Sequence, residues 1–438
     1  MLEISKNANS NYLCKIVELK NLRKHENADR LQIATIDFQD VITGLDATEG
    51  DIYVYFPVEC KINPSFLAHT SSYRDSQLNH DQEKAGFFED NCRVKAVKLR
   101  GHRSMGYIVP FETVYLWSNN NNFDSLLGFI DREYTGQEFD TINGKLLVEK
   151  YVIKTKEPRA QKQGKKARVS RLVENQFRFH VDTENFRRNA YKINPLDEIE
   201  VTYKLHGTSW WKSNVLVKRK LSRFEKLLKW LGVNIITEEY DQLYGSRKVV
   251  KNEYLDDEKK HDHYFGFDLW KVFSDKIGDI PKGFTIYGEA VGYTPEGGAI
   301  QKGYDYGCRP CEFELYVYRI TYTNPDGVSF ELSYDEIYEF CQKYETLKSP
   351  ELFYKGKAAR MYDLEENDHW HENFIQRLEK DYNDKDCYMC ENKVPEEGIC
   401  IRKVLLTDCE IYKLKSFSFL EHESKQLDTG ESDLESDN

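Results

Sequence analysis

Short runs in which apolar and polar side chains alternate dominate the first third of the chain. Residues 12–19 read YLCKIVEL, residues 51–59 read DIYVYFPVE and residues 93–101 read RVKAVKLRG. Successive side chains of a strand point to opposite faces, so such runs predict half-buried strands. Polar clusters such as HENAD (25–29) and TGLD (43–46) mark turns between them. Several short strands in about 150 residues, with no helical pattern long enough to compete, predict a five-stranded OB-type β-barrel. Farther along, EIEVTYK (198–204), FTIYGEAVG (284–292), FELYVYRITY (313–322), GICIRKVLL (398–406) and EIYKLKSFSF (410–419) again alternate. Helix-like spacing with a polar face recurs around 222–231, 334–344 and 371–382. Strands mixed with such helices predict an α+β fold built on antiparallel sheet.

Charge divides the chain further. Residues 154–171, KTKEPRAQKQGKKARVSR, hold eight basic residues and one acid without apolar periodicity, which predicts a basic linker. Residues 421–438 hold seven acids and one lysine, which predicts a disordered acidic tail. The expected organisation is therefore an OB-fold RNA-binding domain over 1–150, a linker over 151–171, a catalytic domain over 172–420 and a tail over 421–438. With 438 residues and a net charge of −12, the chain is too acidic to coat nucleic acid by bulk charge, although a local basic groove is compatible with it. No run of 18 apolar residues and no signal-like N-terminus occur, and ten cysteines are scattered. The expectation is an intracellular, cytoplasmic chain with reduced thiols and no membrane partner.

The sharpest chemical signal is Lys204-Leu205-His206-Gly207-Thr208-Ser209, directly after an apolar strand. A desolvated lysine at a strand end can present a free amine as nucleophile, and the glycine behind it allows close backbone approach. Four later segments supply complementary groups. Ile286-Tyr287-Gly288-Glu289 places an acid on a strand, and Tyr316-Val317-Tyr318 places aromatics on another. Glu396-Glu397-Gly398 leads an acid into a strand. Lys413-Leu414-Lys415 places two cations on one strand face. A nucleophilic lysine beside two cations, two carboxylates and a stacking ring suits attack on a nucleoside triphosphate.

In order and spacing these segments resemble the covalent nucleotidyltransferases, and within them the nick-sealing ATP-dependent RNA ligases typified by RNA ligase 2 of bacteriophage T4. IYGEAVGYTPEGGAIQKGYDYG (286–307) is similar to that group's GE…G…IQK…DYG stretch, and KLHGTS is similar to its first motif, with His where DNA ligases usually carry Asp. KLRGHRSMGYIVP (98–110) and RFHVDTENFRRN (178–189) resemble the OB module and the start of the catalytic domain in RNA ligases of the Naegleria and Deinococcus type. The resemblance covers most of residues 11–420. It implies an ATP-grasp-like adenylyltransferase domain in which Lys204 forms a lysyl-AMP. His206 and Gly207 would shape the loop on the ribose side, and Arg247 would be a further nucleotide contact. Glu289 would bind ribose hydroxyls, Tyr318 would stack on adenine, and Lys413 and Lys415 would grip the α-phosphate. Glu397 would hold Mg²⁺ or Mn²⁺ through water. ATP, a divalent metal and broken or nicked RNA are the implied cofactors and partner.

Other readings compete. A capping guanylyltransferase or a DNA ligase shares the lysine chemistry but carries an OB domain after the last motif, and only 23 residues follow Lys415. A non-catalytic RNA-binding protein on the same scaffold would have no need of Lys204, Glu289, Glu397, Lys413 and Lys415 together. Two CxxC pairs, Cys308/Cys311 and Cys387/Cys390, have spacing compatible with a structural zinc site. The basic insertion 218–232 is a candidate for RNA backbone contact or an exposed amphipathic helix.

Overall fold

The computed structural model describes residues 1–120, 132–152, 171–251, 267–382 and 384–428. The expected linker lies outside the described residues except at its two ends. The expected α+β architecture is present, and its centre is a pair of sheets, each helix-covered on one face.

The larger sheet orders Val249–Lys251, Glu238–Ser246, Thr208–Lys218, Phe284–Gly292, Phe313–Thr323 and Ser329–Glu331, all antiparallel. Leu347–Lys348 adds a parallel pairing to Phe313–Thr323. One face carries Trp210, Ile286, Ala290, Leu315, Val317 and Ile320. These pack on Leu269, Trp270, Phe273 and Ile277 of the helix Leu269–Ile277 and on Ile337, Phe340 and Cys341 of the helix Tyr334–Cys341. Truncating one such aromatic, Trp270 for example, costs about 3–5 kcal/mol.

The smaller sheet orders Glu184–Asn185, Cys409–Lys415, Gly398–Val404, Glu198–Tyr203 and Leu352–Lys357. Its first pair is parallel and the others are antiparallel. Ile199, Val201, Ile399, Ile401, Tyr412 and Leu414 form its apolar face against Trp370, Phe374, Ile375 and Leu378 of the helix Trp370–Tyr382. The residues between them in sequence point the other way: Glu200 and Thr202, Cys400 and Arg402, Ile411 and Lys413. These line a cavity. Period-two alternation thus divides each strand into a core face and a site face.

The N-terminal region is rich in short strands, as expected. Its hydrogen bonds fall into separate small sheets, Tyr107–Pro110/Ile52–Phe56/Cys14–Glu18/Glu138–Phe139 and Arg23–Lys24/Leu31–Ile36/Gln39–Gly44 among them. No closed barrel forms among the described residues. At one seam a side chain replaces the ladder, since Ile42 N donates to Ser104 Oγ at 3.0 Å where a neighbouring carbonyl would otherwise accept. Helices are present there too: Pro64–His69 and Phe111–Ser118 pack into the N-terminal core through Phe66, Leu67, Val114 and Trp117.

The tail expectation needs correction. Residues 421–428 continue the helix Phe417–Asp428, and residues 429–438 lie outside the described residues. Glu423 and Ser424 are buried. Asp428 pairs with Arg93 at 2.5 Å and with Lys95 at 2.8 Å. Asp428, which looks solvated in sequence, is here matched by cations far away in the chain.

Candidate functional site

Between the site faces of the two sheets lies a cavity of about 390 Å³. That is the size range of small-ligand pockets. Lys204, Glu289, Tyr318, Arg247, Lys413 and Lys415 all line it.

Lys204 directly follows the strand Glu198–Tyr203, and its backbone N donates to Gly398 O at 2.9 Å. Its Nζ lies 2.6 Å from Glu397 Oε1, with the lysine side chain 16% and the glutamate 2% exposed. Gly398 lets its own strand close on the neighbouring strand Cys409–Lys415. A Cβ there would stand 2.1 Å from Leu414 O, at a φ of +137°.

The loop after Lys204 is braced by Glu289. Its Oε1 accepts from Gly207 N at 3.2 Å and its Oε2 from Ser209 Oγ at 3.2 Å. Gln301 Nε2 donates to Gly207 O at 2.7 Å. A Cβ on Gly207 would sit 2.1 Å from Ala290 O, so only glycine fits. His206 was expected on the ribose side. Its ring is buried edge-on to Tyr304 and Phe419, at 4.8 and 4.9 Å between centroids, and the cavity lining does not include it. The residue shapes the loop through packing and through its backbone N, which donates to Tyr306 Oη at 2.7 Å.

Tyr318 and Arg319 both line the cavity, although strict alternation would place neighbours on opposite faces. The cause is a bulge. Tyr287 pairs with Arg319 and Gly288 with Val317, leaving Tyr318 as the extra residue. Tyr318 Oη hydrogen-bonds His180 Nδ1 at 2.6 Å. Arg319 pairs with Glu331 on the next strand, Nε to Oε1 at 2.6 Å, and the pairing raises the guanidinium pKa against the lowering effect of burial.

Arg247 pairs with Asp182, which also accepts from Asn9 Nδ2 at 2.9 Å. Burial alone would raise the Asp182 pKa, but Arg247 and Lys413 outweigh it and hold the carboxyl below its usual value. Lys415 Nζ lies 3.4 Å from Glu59 and 3.2 Å from Glu423. Burial opposes its charge, while Glu423 and Glu59 overcome that and raise its pKa well above the ordinary value. Glu59 is held down to about 2, its burial outweighed by Lys415 and by a hydrogen bond with Glu423.

Sequence reasoning missed Tyr12, Glu59, Lys150, His180, Asp182 and Glu423, all of which line the cavity. His180 and Asp182 stand in the recognisable 178–189 run, so a signal existed. The others come from the N-terminal region and the terminal helix and carried none.

The donor set suits a hard divalent cation. Glu397 offers a buried carboxylate beside Lys204, and Mg²⁺ typically takes one or two carboxylates and keeps several waters. A four-cysteine zinc cluster is not assembled among the described residues. Among the described residues the one group of three metal-ligating atoms within 4.8 Å of one another is Glu331, Asp408 and Cys409. A four-cysteine site would need its sulfurs about 4 Å apart, and Cys308, Cys311, Cys387 and Cys390 do not converge in that way. The two loops are joined instead by Asp305, whose carboxylate accepts from the backbone N of Gly307 (2.8 Å), Glu391 (2.9 Å) and Asn392 (3.1 Å).

No family model and no curated protein matches the chain. Solved structures do. Naegleria gruberi RNA ligase in a complex with AMP and Mn aligns over 94% of this chain and 98% of its own, with a TM-score of 0.56 and 15% identity. A complex of the same enzyme with ATP and Mn aligns over 97% and 99%, with a TM-score of 0.54 and 13% identity. Its complex with PPi aligns over 94% and 99%, with a TM-score of 0.51 and 14% identity. The chain therefore has an RNA ligase fold along almost its whole length.

Proposed function

We propose that this chain is an ATP-dependent RNA ligase of the nick-sealing kind, working through a lysyl-AMP on Lys204. The observation that carries the reading is the convergence, in one inter-sheet cavity, of Lys204 with Glu289, Tyr318, Arg247, Lys413 and Lys415. Complexes of the Naegleria enzyme with ATP, AMP, PPi and Mn support the substrate class.

Lys204 attacks the α-phosphorus of ATP in line with the departing pyrophosphate, forming a P–N bond to AMP. The AMP then passes to an RNA 5′-phosphate, and a 3′-hydroxyl displaces it to seal the strand. Each step is a displacement at phosphorus, so positioning and charge neutralisation supply most of the catalysis. Tyr318 stacks on adenine and Glu289 faces the ribose. Lys413, Lys415 and Arg247 carry the cationic charge that the phosphates require. Glu397 would hold Mg²⁺ or Mn²⁺ through water, and the metal would supply positive charge to the phosphates and favour the neutral amine of Lys204. The N-terminal region, read as an OB-type module, would hold RNA beside the cavity, to which Tyr12, Glu59 and Lys150 already contribute.

Incubation with α-³²P-ATP and Mn²⁺, followed by denaturing electrophoresis, tests this. Wild type should be labelled and Lys204→Ala should not. An unlabelled wild type, with GTP also negative and the protein shown not to be already adenylylated, would remove the ligase reading.

A further inference from the structure

The hairpin formed by Thr208–Lys218 and Glu238–Ser246 carries an excursion whose centre is the helix Arg223–Trp230. The helix is held by local chemistry. Ser222 Oγ accepts from Glu225 N at 3.2 Å, Ser222 N donates to Glu225 Oε2 at 2.8 Å, and Arg219 closes on Glu225 at 2.5 Å. No residue of the helix is buried.

Phe224, Leu227, Trp230, Leu231, Val233 and Ile236 are exposed, by between 47% and 80%. Phe224, Leu227, Leu228 and Leu231 recur at the spacing of one helical face, and Trp230 follows in the last turn on the flank between Arg223 and Lys226. Around this face stand Lys218, Arg219, Lys220, Arg223, Lys226 and Lys229, against a single acid, Glu225, between residues 218 and 236. Where the returning strand begins, Glu239 and Asp241 pair with Arg171 at 2.8 and 3.1 Å, and Glu238 is exposed opposite Lys218. A concentration of large apolar side chains in water, rimmed by cations, marks an interaction surface.

We infer that this hairpin tip is a peripheral docking surface for an anionic lipid bilayer, with the apolar face lying among the headgroups and the cations on their phosphates. An amphipathic helix with Phe and Leu on one side, Lys and Arg on the other and an exposed Trp on the flank is built for that interface. RNA would use the cations, and its unpaired bases the two aromatic rings, but neither gives Leu227, Leu228, Leu231, Val233 and Ile236 anything to bury against. Acyl chains take all of them. The eleven-residue strand Thr208–Lys218 rises about 3.3 Å per residue, so the tip stands roughly 30 Å from the Lys204 end of the hairpin. The cavity stays open while the tip is docked. The lack of a spanning run is no obstacle, because a helix lying in the interface does not cross the bilayer.

The test is co-sedimentation of the full chain with phosphatidylcholine vesicles, with and without roughly one-third phosphatidylserine. Wild type should pellet with the anionic vesicles only and be released by high salt. Leu227→Glu/Trp230→Glu should lower partitioning by about ten-fold or more. Lys226→Gln/Lys229→Gln should lower it less and blunt the salt effect. All four positions are exposed, so circular dichroism and lysyl-adenylate labelling should match wild type, which separates this surface from the ligase reading. Absence of wild-type partitioning onto anionic vesicles overturns the proposal. It is overturned equally if the apolar pair leaves partitioning intact, if the variants lose affinity for a fluorescent RNA oligonucleotide instead, or if the apolar pair abolishes a dimer seen by gel filtration.

Discussion

The two ends of the cavity are built by different physics. At the Gly207 end, backbone approaches backbone, with Glu289 bridging Gly207 N and Ser209 Oγ and with no room for a single Cβ beside Ala290. At the Lys415 end, charge meets charge from three separate parts of the chain: Glu59 in the N-terminal region, Lys415 on the last strand and Glu423 on the terminal helix. The first end depends on shape and tolerates almost no change. The second depends on charge balance, in which one partner can partly cover for another.

Changes at the shape-limited end should cost most. Gly207→Ala forces a 2.1 Å contact with Ala290 O, and such overpacking costs about 1–3 kcal/mol or more while displacing the loop beside Lys204. Lysyl-adenylate labelling should fall to background, and a thermal melt should show the loss of stability. Labelling near the wild-type level would show that the loop is not shape-limited.

Lys415→Met should be nearly as severe for a different reason, since Glu59 and Glu423 would be left buried without their cation. Removing one partner of a buried ion pair costs about 3–5 kcal/mol, an upper figure here because Lys415 keeps some exposure. Denaturant unfolding measures it. Adding Glu59→Gln and Glu423→Gln to Lys415→Met should recover part of the loss, and no recovery would refute the charge-balance account.

Glu396 gives the comparison a pH axis. Burial, the Cys387 thiol and neighbouring Glu397 push its pKa from the ordinary 4.5 up to about 9. The folded chain therefore keeps it protonated where the unfolded chain would ionise it. The penalty starts near pH 4.5 and grows as pH rises toward 9. Glu396→Gln should match wild type in melts near pH 5 and exceed it near pH 8, by an amount on the order of 2 kcal/mol. A constant difference across that range would contradict the assignment. Glu59 runs in the opposite direction. Its depressed pKa stabilises the fold above the ordinary carboxylate value and ceases to do so as pH falls toward 2. Glu59→Gln should accordingly lower stability at neutral pH, and the gap should close in acid.

The smallest effect belongs to Tyr318→Phe, which keeps the ring and loses the hydrogen bond to His180. That is worth about 1 kcal/mol. The KM for ATP in the labelling assay should shift only a few-fold, whereas Tyr318→Ala should raise it markedly. Equal losses in the two variants would make the hydroxyl, and not the ring, the important group.

The shape-limited end was legible in sequence because its residues cluster in short runs. Lys204 and Gly207 lie three apart, and Gly288 and Glu289 are adjacent, so the demand for a nucleophile, a missing Cβ and an acid is written locally. Period two likewise announced which strand positions face the core and that Lys413 shares a face with Lys415. It failed at Tyr318 and Arg319, where a bulge turns neighbouring residues to the same side. The aromatic rings from residues 304 and 419 that close around His206 carried no local mark either. The cysteine spacing suggested a metal, but the loops are tied through the Asp305 carboxylate.

What the sequence determined by itself was therefore the alternation of strands, the α+β class and the identity and order of the residues in the Lys204, Glu289, Glu397 and Lys413–Lys415 segments. These depend on side-chain period and on neighbours within a few positions. Only the tertiary structure decided that acids at 421–428 belong to a packed helix, that Glu59 and Glu423 share one lysine, and that the N-terminal strands, among the described residues, leave their sheets unclosed. Those outcomes rest on which distant groups meet, and a charge or an edge strand carries no local mark of the partner it will find.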